Sequence, residues 1–267
     1  MERITDPRKQ ILQLLIEFSY LGICDFYRLL RNESPSFPSH QRRVRRLLHD
    51  FADLGYLRSF PLIDPQNSGR AVRYQTLYWL SSKGLELAQE YGLENGEGKA
   101  NDDHSPRTLA HEYEISRFHI GLKDLALRHG LDLYWQQKDL KRTVNPDAMF
   151  AIARPDGAFY YFLEIEKSKL GRYVNGEPQI IRKLVRYYNY YNSDQCLQEW
   201  EDFKQFRVIV IVQTEERRQN LLKHLSELYR HPMFWVSTEE DYLKFFTPKD
   251  YLENIAYSLP DGLVTQR

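Results

Sequence analysis

Ile11, Leu14, Leu15 and Phe18 fall three or four residues apart, which predicts a helix over 6–20 that Gly22 closes. Phe26, Leu29 and Leu30 mark a short second helix over 24–30. After the turn-rich NESPSFPS, Val44, Leu47, Leu48, Phe51 and Leu54 line one face of a third helix starting at Ser39. Gly55 stands where a left-handed C-terminal cap belongs. Segments 56–60 and 72–80 predict two strands joined by the Pro-, Asn- and Gly-containing PLIDPQNSGRAV, and a helix over 81–91 follows.

The stretch ENGEGKANDDHSPR, 94–107, is polar and aperiodic, and predicts a linker between a domain at 1–93 and another at 108–267. Beyond it, Ile115, Phe118, Leu122 and Leu125 predict a long helix over 109–128. Strands are predicted over 131–140, 147–152 and 158–166, with a PDG turn before the last. A helix over 178–191 is rich in Lys, Arg and Tyr. FRVIVIVQ, 206–213, is a nearly unbroken apolar run, which fits a strand covered on both faces. A helix over 215–229 and a strand over 233–236 complete an order α-β-β-β-α-β-α-β. The fold class is therefore α/β (α+β), with a mixed sheet in the second half.

Composition narrows the classes. Across 267 residues, 37 Lys+Arg balance 37 Asp+Glu, so a nucleic-acid surface has to be a local patch. Cys24 and Cys196 make no CxxC pair, which excludes a disulfide framework or zinc finger and points to a reducing cytoplasm. No apolar run reaches the ~18 residues of a membrane span, and the N-terminus shows no apolar signal region.

Basic chemistry concentrates on the third helix. Arg42, Arg45, Arg46 and His49 lie opposite its apolar stripe, and Arg70 and Arg73 lie on the hairpin that follows it. Arginine suits this place, because its planar fork matches phosphate oxygens and guanine edges. Helices, hairpin and the phrase LHDFADLGYL…YWLSSKGLELA resemble winged-helix regulators, with Arg70 and Arg73 on the wing. That resemblance implies a third helix in the major groove of double-stranded DNA and a wing on the backbone. A solvated basic face, or a protein-docking module, is the competing reading.

Acidic chemistry concentrates in the second half. Asp147 follows Pro146 at the start of one strand, and Glu164-Ile165-Glu166-Lys167 ends the next. Glu164 and Glu166 are two apart, so they leave the same strand face. This pattern resembles the PD-(D/E)XK nuclease superfamily. It implies Asp147 and Glu164 as oxygen ligands of Mg²⁺ or Mn²⁺, with Glu166 and Glu112 as further acidic contributors. Glu166 stands where the superfamily carries lysine, and neither Lys167 nor Lys169 is placed to replace it.

The whole chain resembles the plasmid replication-relaxation family. The resemblance is carried by Leu109-Ala110-His111-Glu112, Trp135, Pro146-Asp147-Ala148-Met149-Phe150, Phe162-Leu163-Glu164-Ile165-Glu166-Lys167 and the Lys183…Tyr187…Tyr191 helix, over roughly 8–240. It implies a cytoplasmic accessory protein of plasmid replication, relaxation or mobilisation, with a relaxase or replication protein as candidate partner. His111 is a candidate to support the acidic site or line a DNA groove, against a capping or packing residue. Lys183, Tyr187 and Tyr191 share one helix face, which lines the acidic site, lines a DNA groove, or packs on the sheet. Three functions compete: a DNA-binding accessory protein with a nuclease-like domain, an active Mg²⁺-dependent endonuclease, and a transcription regulator with a C-terminal docking domain.

Overall fold

A computed structural model of the chain describes residues 7–30, 37–63, 74–93, 105–137, 140, 143–154, 157–167, 173–174, 177–193, 195–199, 206–228 and 233–239. The fold is mixed α/β, as the hydrophobic pattern predicts, and divides into compact units Met1–Arg117 and Phe118–Arg267. Among the described residues no helix is long and apolar enough to cross a membrane.

The first unit begins with α1 (Pro7–Phe18), β1 (Leu21–Gly22), α2 (Ile23–Leu29) and α3 (Phe37–Asp53). It continues with β2 (Leu57–Ile63), β3 (Tyr74–Leu80) and α4 (Ser82–Glu90). β2 and β3 form an antiparallel hairpin, and β1 adds to the far edge of β3, giving the order β1-β3-β2. The periodicity of 6–22 predicts only a helix and its stop, and a two-residue strand is too short to leave a pattern. Gly55 caps α3 at φ +77°, and the Tyr56 N–H donates to the Phe51 carbonyl over 2.9 Å. Ser81 caps α4, its hydroxyl accepting the Gly84 N–H over 3.0 Å.

α5 (Pro106–Arg128) contributes its opening turns to this unit. Leu109 is buried with Tyr20, Leu77 and Trp79. The Ser116 hydroxyl donates to the Phe18 carbonyl over 2.5 Å, and the Tyr113 hydroxyl donates to Asp25 Oδ2 over 2.8 Å. The division by compactness thus falls at Arg117, beyond the 94–107 stretch that composition marks, most of which lies outside the described residues. Polarity marks where a chain is soluble, and these three α5 residues show where it packs.

In the second unit a five-stranded sheet has the order β10-β9-β6-β5-β4. Its strands are β4 (Asp132–Gln136), β5 (Ala148–Arg154), β6 (Gly157–Glu166), β9 (Phe206–Val212) and β10 (Phe234–Thr238). β4, β5 and β6 run antiparallel in turn, while β6, β9 and β10 are parallel. A small β7 (Tyr173–Val174) and β8 (Glu177–Pro178) hairpin precedes α6 (Gln179–Tyr191) and α7 (Gln195–Glu199), and α8 (Glu215–Leu228) links β9 to β10.

The two sheet faces bury different partners. Met149, Phe162, Val208, Val210 and Val212 join Ile181, Leu184, Tyr187 and Tyr190 of α6 and Leu221 and Leu225 of α8 in one core. On the other face, Phe118 of α5 packs at 5.8 Å from the Phe150 ring, and His119 stacks on Trp135 at 4.2 Å. β6, third in the sheet, presents Phe162 and Glu164 toward α6, so a carboxylate sits in an otherwise apolar layer.

Candidate functional site

Glu164 is 2% exposed, and both its oxygens are engaged from α6. Lys183 donates its ammonium to Oε2, and the Tyr187 hydroxyl donates to Oε1 over 2.5 Å. Both donors lie on one helix face because they are four residues apart. Lys183 also stands 3.9 Å from Asp147 Oδ1.

Asp147 is fixed by strand β6 itself. Its backbone N–H donates to the Leu163 carbonyl over 3.0 Å, and its Oδ2 accepts the Ile165 N–H over 2.7 Å. The side chain takes the ladder position one step before β5 begins, which holds Asp147 beside Glu164. The approach to Asp147 is braced by Glu199 of α7. Glu199 accepts from the Thr143 hydroxyl over 2.6 Å and from the Tyr190 hydroxyl over 2.8 Å.

Burial, then the neighbouring Asp147 charge, pushes the Glu164 carboxyl up to about 8 against the pull of Lys183 and Tyr187. For Lys183, burial opposes the charge, but the Glu164 and Asp147 carboxylates outweigh it and its pKa is raised. Burial and the Glu164 charge hold the Tyr187 phenol well above its ordinary value, so it is a donor. Glu166 is half-buried, and its charge also favours the Lys183 cation. The cation beside the two carboxylates thus comes from α6.

The other sequence candidates have neighbours of their own. Tyr191 packs its ring at 5.3 Å from Phe206, flanking the core. His111 and Glu112 lie on the part of α5 that belongs to the first unit, where the Glu112 charge acts on Tyr20. Lys167 pairs with Glu239 at 3.6 Å. Among the described residues no three His, Cys, Asp or Glu side chains gather to hold a metal ion, and the donors in place are the Asp147–Glu164 pair.

On α3, Arg42, Arg45, Arg46 and His49 are exposed while Val44, Leu48 and Phe51 are buried, as the amphipathic pattern predicts. Arg45 donates to the Tyr27 hydroxyl over 3.3 Å, tying the basic face to α2. His49 pairs with Asp53 at 2.9 Å. Arg43, not among the sequence candidates, is exposed on the same helix. Arg70 and Arg73 lie outside the described residues.

Fold and site together define a mixed α/β protein with an arginine-rich helix in one unit and a buried acid–lysine cluster in the other. The chain belongs to the replication-relaxation family, whose model matches residues 12–204. The family associates it with replication or relaxation of plasmids or mobile elements, and so with DNA and the replication machinery. No curated protein and no solved structure matches the chain significantly.

Proposed function

We propose that the protein is a cytoplasmic DNA-binding accessory factor of a plasmid or mobile element. In this reading its first unit is a winged helix that places α3 in the major groove, and its second is a nuclease-like domain. The exposed Arg42, Arg45 and Arg46 row carries it, backed by the helix–hairpin order of the unit. These arginines are exposed on a helix whose opposite side is anchored in the core, which suits them to meet phosphates and base edges, with Arg45 also held by the Tyr27 hydroxyl. The test is duplex binding by fluorescence anisotropy. R42A/R45A/R46A is expected to weaken binding and flatten its salt dependence, and unchanged affinity and slope overturn the reading.

Asp147, Glu164 and Lys183 support a second reading, that of a metal-dependent endonuclease. Two adjacent carboxylates suit a hard divalent cation. Asp147 and Glu164 would hold it, and bound there it would activate water for phosphodiester hydrolysis. Lys183 already balances the pair, so a cation competes with an ammonium for Glu164. This favours the accessory role. Cleavage of supercoiled plasmid in Mg²⁺ or Mn²⁺ that D147N abolishes would reverse the order of the two readings.

A further inference from the structure

The outward face of α6 is a second basic surface. Ile181, Leu184, Tyr187 and Tyr190 are buried, which leaves Arg182, Arg186 and Asn189 on the opposite side. Arg186 and Asn189 are exposed and Arg182 is half-buried. The helix, QIIRKLVRYYNYY, has no acidic residue, although acids and bases balance over the whole chain. Lys183 is turned inward to Glu164, so its charge is matched within the protein. Among the described residues no acidic partner faces Arg182 or Arg186, which lie one residue before Lys183 and three after it.

We propose that α6 is a sequence-independent binding surface for the DNA backbone, with Arg182 and Arg186 each holding a phosphate. The inference rests on the reading of the chain as a DNA-binding protein. Side chains at i and i+4 lie ~5–6 Å apart on a helix surface. Phosphates of one strand advance ~3.4 Å along the axis per nucleotide. Two arginine forks at that spacing therefore reach neighbouring phosphates of one strand, with charge-assisted, bidentate bonds. A strand held there crosses the partly exposed stem of Lys183, which is 30% exposed. The second unit thus gains a hold on DNA that α3 does not supply, and the hold falls beside the Asp147–Glu164 pair.

The test is salt-titrated anisotropy of a labelled duplex with the full chain, comparing wild type, R42A/R45A/R46A, R182Q/R186Q and the five-site combination. Each lost phosphate contact lowers the steepness of log affinity against log salt by ~0.9, so R182Q/R186Q is expected to lower it by about 2. In the α3-variant background it is expected to remove the remaining salt-sensitive binding. R182K/R186K keeps the charge and is expected to keep the slope. A slope untouched by R182Q/R186Q, while R42A/R45A/R46A weakens binding, overturns the α6 surface and leaves the α3 reading standing. Loss with the α6 variant but none with the α3 variant supports the α6 surface and overturns the α3 assignment. Equal loss in the Gln and Lys variants overturns it too, since the contact would not be one of phosphate with charge.

Discussion

Lys183 of α6 donates its ammonium to Glu164 near the end of β6, so the helix supplies the cation beside the strand's buried carboxylate. A carboxylate 2% exposed is stable in an apolar layer only when its oxygens are bonded. Lys183 and Tyr187 together meet that need, and Asp147, held by the Ile165 N–H, completes the charge pattern. Lys183 thus offsets the carboxylate charge from within the protein.

Removal of Lys183 tests that balance. K183M is expected to destabilise the chain by about 1–3 kcal/mol at neutral pH, the scale of leaving a buried hydrogen-bonding group unmade. The cost is expected to grow above pH 8, where Glu164 would otherwise become an uncompensated buried charge. E164Q/K183M removes that charge and is expected to recover part of the loss. Urea unfolding of the two single variants and the double variant measures the coupling, and simple additivity contradicts it.

Glu164 also sets an alkaline limb. Its folded pKa of about 8 lies above the ordinary 4.5, so the folded chain keeps a proton that the unfolded chain has released. This contribution is full below about pH 4.5 and is lost as pH rises through about 8. At ~1.4 kcal/mol per unit, it amounts to at most several kcal/mol. Melting temperatures of wild type are expected to fall relative to E164Q across that window, and parallel curves contradict the assignment.

His119 sets the opposite limb. Burial, then the Lys123 charge, pulls it down from 6.5 to about 3, and it stacks on Trp135 as a neutral ring. The unfolded chain takes up a proton below 6.5 that the folded chain refuses, so this contribution is present above 6.5 and is lost as pH falls toward 3. H119F keeps an aromatic ring for Trp135 and is expected to flatten the acid side of the stability profile. Retention of the wild-type acid slope in H119F contradicts this.

The mixed α/β order was legible because its signals are local. α3 and β9 follow from the stripe at Val44–Leu48–Phe51, the Gly55 cap and the unbroken FRVIVIV. The proximity of Asp147 to Glu164 was legible from strand order, since each sits at an end of adjacent antiparallel strands. The Lys183–Tyr187 helix face was legible only as one of three alternatives, because strand alternation speaks for positions 165–167 and Lys183 reaches Glu164 from an element 19 residues away. Glu199 gave no signal, as its bonds to Thr143 and Tyr190 come from tertiary packing alone.

The central claim, that α3 is the face laid against DNA, is tested most directly by photo-crosslinking. A photoreactive side chain placed at position 42 or 46 of α3, or at the exposed Gln13 of α1 as a control, is irradiated on a labelled duplex. The account predicts strong crosslinks from 42 and 46 and little from 13. Equal yields at the three positions, or a crosslink from 13 alone, would contradict it.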